Sequence, residues 1–158
     1  MEAHHKAGEP ASFKTATEAD ADTLLNLIQK YFVYDGISFD ASKIRPGLIL
    51  LLKDESIGHA WLIQSGAKAV GYVIFTYGFD LEFGGRLALV TDLYLEEEFR
   101  GQGLGRMTLK RIEEFCRANG VRALELQVER DNSEAQALYR KFGFEAADRI
   151  PLSKRLAA

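Results

Sequence analysis

The 158-residue chain reads as an α/β (α+β) protein with a mixed, mostly antiparallel central sheet flanked by about four helices. Three observations predict this. Two segments in the first third carry apolar residues at helical spacing. The middle then changes period, to short runs rich in Val, Ile, Tyr, Phe and Trp bounded by turn residues. Last comes a strand, a glycine cluster, a helix and another strand, the order of a crossover between parallel strands.

Taken in order, residues 1 to about 11 read as a disordered lead-in, and residues 12–158 as one domain of ordinary size. Adjacent His4 and His5 in that lead-in read as inert. Thr17-Glu18-Ala19-Asp20 is a capping signal, with a hydroxyl first and a carboxylate three residues later. Ala21, Leu24, Leu25, Leu27, Ile28, Tyr31 and Phe32 then mark one helical face. Ser42 is expected to cap a second helix, with Pro46 in its first turn, Leu48–Leu52 on it, and its end before Asp54. His59–Gln64 and Ala69–Phe79 form a hairpin around Ser65-Gly66-Ala67-Lys68, and Gly84-Gly85 turns into a third strand, Leu87–Leu95. A helix follows the glycine cluster, with Leu104, Met107, Ile112, Phe115 and Cys116 on its apolar side, ending at Asn119-Gly120. Ala123–Val128 reads as a strand and Ser133–Phe142 as a helix stopped by Gly143. Phe144–Leu156 is expected to supply one or two more strands.

Composition removes several classes. Lys plus Arg is 20 and Asp plus Glu is 23, a net charge of −3, so the chain lacks the basic balance of a nucleic-acid binder. No apolar run approaches the ~20 residues of a membrane span, and no membrane partner is expected. One cysteine, Cys116, excludes an internal disulfide and a cysteine-based zinc site. No metal is expected, and a reducing, cytoplasmic setting fits.

The chemistry concentrates at Arg100-Gly101-Gln102-Gly103-Leu104-Gly105-Arg106. A helix start offers unpaired N–H groups and the positive end of the helix dipole, and glycines let a phosphate come close to that backbone. The loop is not a Walker loop, because no Gly-Lys-Ser/Thr follows at the required spacing. It is not a dinucleotide fingerprint either: counting from Gly101 the last glycine position holds Arg106, and from Gly103 it holds Thr108.

The loop resembles the acyl-CoA loop of the GNAT superfamily of N-acyltransferases, whose pattern is Arg/Gln-x-x-Gly-x-Gly/Ala at a strand-to-helix junction. Asn132, Ala135, Tyr139 and Gly143-Phe144 match a second stretch of that family, Asn-x-x-Ala-x-x-x-Tyr-x-x-x-Gly-Phe. The resemblance runs from about Phe13 onward. It implies an acetyl-CoA-dependent N-acetyltransferase in which Leu93, Tyr94 and Leu95 offer backbone groups to pantetheine, as if the cofactor were an added strand. It implies that residues 100–106 hold the pyrophosphate, and that Asn132 touches the cofactor or caps the next helix. Tyr139 becomes the general acid that protonates the leaving thiolate. A base is harder to name. Some relatives carry a glutamate one residue before the position of Asp92, where this chain has Thr91. Asp92, Glu82 and Glu96 remain as candidates, while Glu96-Glu97-Glu98 also reads as a solvated strand end.

The acceptor side in this family is built from the first two helices and their connection, here Tyr31 to Asp40. Its mixture of aromatic rings and carboxylates suits a cationic amine. It resembles the subset that acetylates polyamines and thialysine. Tyr34, Asp35, Asp80, Glu82 and Asp92 are the candidate acceptor residues. Acetylation of a protein N-terminus or lysine is the alternative, and an inactive acyl-CoA-binding module a further one. A homodimer is a family expectation.

Overall fold

Two tight hairpins organise the molecule. The computed structural model describes residues 9–156, so His4 and His5 lie outside the described residues. The elements run β1 (Ala11–Thr15), α1 (Ala21–Tyr34), α2 (Ala41–Lys53), β2 (Gly58–Ser65), β3 (Lys68–Asp80), β4 (Gly85–Leu95), α3 (Leu104–Ala118), β5 (Ala123–Leu126) and α4 (Ser133–Lys141). The strands form one sheet in the order β1-β2-β3-β4-β5. All neighbours are antiparallel except β4 and β5, which are parallel because α3 carries the chain back between them. The chain divides into two compact units, the first ending at Leu126 and the second starting at Gln127.

Helices α1 and α2 cover one face of the sheet. There Leu24, Leu27, Ile28 and Leu48 bury against Ala60, Leu62, Tyr72 and Tyr94. The other face takes α3, with Ile112 and Cys116 against Trp61, Val73, Phe75, Ala88 and Val90. Leucine- and aromatic-sized side chains buried to this degree each contribute about 1.5–3 kcal/mol, so the two face-to-helix layers supply the main drive for this unit. Burial also holds the Cys116 thiol up at about 11, which keeps it an unreactive apolar group.

A β-bulge in β4 decides which side chains reach which face. Val73 pairs with Leu93 and Ile74 with Asp92, but Phe75 pairs with Val90, so Thr91 is the extra residue. Side chains alternate along a strand, and one inserted residue reverses the alternation. Ala88 and Val90 therefore face α3, whereas Tyr94 faces α1 and Leu93 turns to the α3 side.

Several local expectations change. The lead-in ends sooner than expected, since Ala11 already starts β1 along β2. Thr17 N–H donates to the Asp20 carboxylate at 2.9 Å, as the capping signal requires, but it opens a 3-10 turn that leads into α1. Asp40, not Ser42, caps α2: its carboxylate accepts from Ser42 N–H at 3.0 Å and from the Ser42 hydroxyl at 2.6 Å. A carboxylate one residue before the helix outcompetes a hydroxyl already inside it. Pro46 falls in the second turn, not the first. On α3, Met107 is exposed, and Thr108 takes the buried position because its hydroxyl donates to Leu104 C=O at 2.7 Å. Strand β5 stops at Leu126, and no strand forms between Phe144 and Leu156.

His59 supplies a test of this packing. Its ring stands against Phe75, Tyr77 and Phe115, and Nε2 and the Tyr77 hydroxyl are hydrogen-bonded at 3.0 Å. Burial lowers its pKa below the ordinary histidine value, partly opposed by the charge of Glu55. The folded state thus favours neutral imidazole, while the unfolded chain takes a proton below about pH 6.5. Stability contributed by the neutral ring is present above that pH and is lost as pH falls. Thermal melts between pH 7 and pH 5.5 should show a falling Tm, with a shallower fall in His59→Gln. An equal slope in both proteins would contradict the assignment.

Candidate functional site

The bulge and the end of the β4–β5 ladder together prepare one strand edge. Glu96 N–H donates to Val70 C=O at 2.8 Å. Hydrogen-bonded and non-hydrogen-bonded pairs alternate in an antiparallel ladder. Tyr94 opposite Tyr72 and Asp92 opposite Ile74 therefore direct their backbone groups toward β3. Leu93 and Leu95 direct theirs to the far edge. The β5 partnership on that edge runs only from Leu87–Ala123 to Val90–Leu126, so β4 leaves its parallel partner just before the bulge. Of the three residues expected to present backbone groups, Leu93 and Leu95 do so, and Tyr94 does not. Leu95 C=O already accepts from Arg100 Nε at 2.9 Å.

After β4 a 3-10 turn, Glu97–Phe99, leads into the glycine loop. Gly101 (φ 73°) and Gly103 (φ 83°) both adopt the left-handed conformation that side-chain-bearing residues rarely accept, and Gly103 caps α3. The first intrahelical bond is Met107 N–H to Gly103 C=O at 2.9 Å. The N–H groups of Leu104 and Gly105 come before it and have no acceptor inside the helix. A Cβ placed on Gly101, Gly103 or Gly105 would meet no protein atom within 4 Å. The loop is an open cradle of backbone donors at a helix N-terminus, suited to a phosphate. Gln102 is turned back, its side-chain amide donating to Glu98 C=O at 3.0 Å, so it serves the loop's shape. Arg106 follows on the exposed first turn of α3.

On the α1 face of the sheet lies a cleft of 510 Å³ lined by Tyr34, Tyr94, Glu96, Glu97, Glu98 and Arg100. The Arg100 guanidinium stacks over the Tyr34 ring at 4.5 Å and over the Tyr94 ring at 5.4 Å. Arg100 is thus a brace between the end of α1 and the start of the glycine loop. Glu96 is committed to Lys30, with Nζ to Oε1 at 2.6 Å, a pairing that raises the Lys30 pKa. This engagement disfavours Glu96 as a base.

Asp92 is half-buried beside this cleft's Tyr94, and its carboxylate accepts from the buried Tyr72 hydroxyl at 2.7 Å. Burial raises its pKa; the hydrogen bonds from Tyr72 and Thr91 lower it, and the charge of Asp35 raises it again. Asp35, the C-terminal cap residue of α1, therefore acts on Asp92 electrostatically. Asp80 and Glu82 do not join them. They sit at the tip of the β3–β4 hairpin, six residues beyond Ile74, which is roughly 20 Å along the strand. There the Asp80 carboxylate accepts from Glu82 N–H at 2.9 Å and shapes the turn.

The second unit carries the remaining two candidates. The Asn132 side-chain oxygen accepts from Ala135 N–H at 3.1 Å and caps α4, which leaves its amide NH₂ as the part suited to a ligand. Tyr139 lies on α4 with its ring 6.0 Å from that of Phe144, a contact that explains the Tyr…Gly-Phe spacing. Burial raises the Tyr139 pKa, so the phenol stays protonated. Sequence reasoning did not single out Tyr72. Its partnership with Asp92 depends on strand register and on the bulge, and no motif signals it.

The match to known proteins agrees with this geometry. A sequence model of the "Acetyltransferase (GNAT) family" matches residues 21–144. A Bos taurus thialysine N-epsilon-acetyltransferase is 27% identical over 143 residues, covering 82% of this chain and 81% of the relative. A Bacillus subtilis protein provisionally named as a ribosomal-protein-alanine N-acetyltransferase is 38% identical over 58 residues, 37% of this chain but only 38% of the relative. Among solved structures, an integron cassette protein from a salt-marsh metagenome superposes with a TM-score of 0.81 at 30% identity, covering 92% of this chain and 91% of that one.

Gly105 gives the cleanest test of the cradle, because its backbone is helical and its surroundings are empty. Gly105→Val adds bulk only where a phosphate would approach. CoA affinity measured by calorimetry should fall at least tenfold, about 1.4 kcal/mol, while Tm stays within a few degrees. Unchanged affinity in the folded variant would remove the loop from the cofactor site.

Proposed function

The chain belongs to the GNAT family of acetyltransferases, acetyl-CoA-dependent N-acetylating enzymes, and from that premise we propose that its acceptor is the primary amine of a small cationic metabolite. The observation that carries this reading is the chemistry gathered around the α1 end of the cleft. Two tyrosine rings, the Glu96–Glu98 run and the Asp35–Asp92 pair give it aromatic faces and an excess of carboxylate. An ammonium gains from both, and a neutral or acidic acceptor from neither.

The steps follow from the residues. Acetyl-CoA lays its pyrophosphate on the amides at the start of α3 and its pantetheine along the far edge of β4 at Leu93 and Leu95. The acceptor nitrogen loses a proton, attacks the thioester carbonyl carbon and forms the C–N bond. The resulting nitrogen sheds a second proton as the tetrahedral centre collapses and the C–S bond breaks. Tyr139 gives its phenolic proton to the departing thiolate, which leaves as free CoA. Of the two protons released from nitrogen, one is balanced by the thiol and one leaves to solvent. The raised pKa of Tyr139 supports its role as donor.

Two substitutions test this reading. Tyr139→Phe keeps the ring and removes the proton, so turnover should fall ~10²-fold with acetyl-CoA binding nearly unchanged. A loss of binding at normal turnover would make Tyr139 a cofactor contact. Asp35→Asn should raise the KM for a polyamine roughly fivefold, about 1 kcal/mol, and leave the KM for acetyl-CoA alone. Added salt should have the same direction of effect. Inert polyamines together with rapid acetylation of a peptide N-terminus would point instead to a protein acceptor.

A further inference from the structure

We propose that Asp92 is the base that takes the proton from the acceptor ammonium, and that Tyr72 is the residue that positions it. The inference rests on the N-acetyltransfer reading but not on the identity of the amine.

The geometry begins with the bulge. Without the extra residue Thr91, the strand's alternation would send position 92 toward α3 and Trp61. With it, the Asp92 side chain shares the α1 face with Tyr94 and Tyr72, while the next residue, Leu93, turns its backbone to the edge where pantetheine would lie. A carboxylate and the cofactor's edge are thus one residue apart on the same strand. Neither alternative carboxylate has this placement, since Glu82 is at the hairpin tip and Glu96 is held by Lys30.

The groups around Asp92 suit a proton acceptor. From β3 the Tyr72 hydroxyl donates to Oδ2 at 2.7 Å, which fixes the carboxylate and leaves its other oxygen for a substrate. Tyr72 is fully buried and its own pKa is raised, chiefly by burial and then by the Asp92 charge, so it remains a donor throughout. From α1, Tyr31 packs edge-on to Tyr72, with ring centroids 6.4 Å apart, and Asp35 adds a negative charge. From β4 itself, Thr91 hydrogen-bonds the carboxylate and Tyr94 lies on the same face. No cation is among the groups acting on it, so its affinity for a proton is raised relative to an ordinary aspartate. In the step, an ammonium N–H bond breaks, an O–H bond forms on Asp92, and the freed lone pair attacks the thioester. Asp92 returns the proton to solvent after the product leaves.

The test is the pH dependence of turnover, followed by release of free CoA with spermidine and, in parallel, with a peptide bearing a free N-terminus. Asp92→Asn should lower kcat ~10²-fold with whichever acceptor is used and remove the acid limb of the profile. Tyr72→Phe should shift the acid limb to higher pH, because the carboxylate loses a hydrogen bond that favours its ionised form, while the plateau rate is largely kept. Calorimetric CoA binding confirms that each isosteric variant is folded. A raised KM for the amine with unchanged kcat in Asp92→Asn would make Asp92 an anchor and overturn the proposal. So would a pH-independent loss in Tyr72→Phe, the mark of a structural role. Turnover with the peptide alone would correct the acceptor reading, and the same profiles would then decide on Asp92.

Discussion

One inserted residue in β4 governs the rest of the arrangement. The bulge at Thr91 lets the first half of the strand feed the α3 core and the second half feed the α1 core. Its backbone consequence matters as much. The β4–β5 ladder ends at Val90, and the strand continues with β3 alone. Because hydrogen-bonded pairs alternate, this leaves Leu93 and Leu95 presenting groups on an edge that β5 does not fill. A sheet normally conceals such an edge or blunts it. Here the edge points to a ligand built of amides.

The glycine loop and the strand are joined by Arg100. Its Nε holds Leu95 C=O, and its guanidinium lies over Tyr34 and Tyr94. The residue that begins the phosphate loop therefore also braces the end of α1. Charge alone would be satisfied by lysine, but a planar fork that stacks and donates at once is a property of arginine. This brace links the cofactor side of the site to the acceptor side within the first unit.

The acidic residues separate into three kinds by their partners. Asp20 and Asp40 are spent on backbone N–H groups at helix starts, which holds both carboxyls below the usual range. Asp80 shapes a turn in the same way. Glu96 pairs with Lys30. Asp92 alone combines a buried setting, a phenol donor and a neighbouring negative charge, and its pKa moves in the opposite direction to those of Asp20 and Asp40.

What the sequence determined by itself was whatever depends on local spacing. The two helical faces, the hairpins at Gly66 and Gly84, and the strand–loop–helix cradle at residues 100–106 are short-range features with their own residue signals. The family followed from two such motifs. Tertiary structure decided what depends on register. Thr91 carries no sign that it is a bulge, because its conformation is set by how β3 and β4 pair over many residues. Tyr72 reads as one more aromatic in a strand until that pairing brings its hydroxyl to Asp92. Phe144–Leu156 has strand-forming residues but forms no strand, since a strand needs a neighbouring edge to pair with as well as its own propensity.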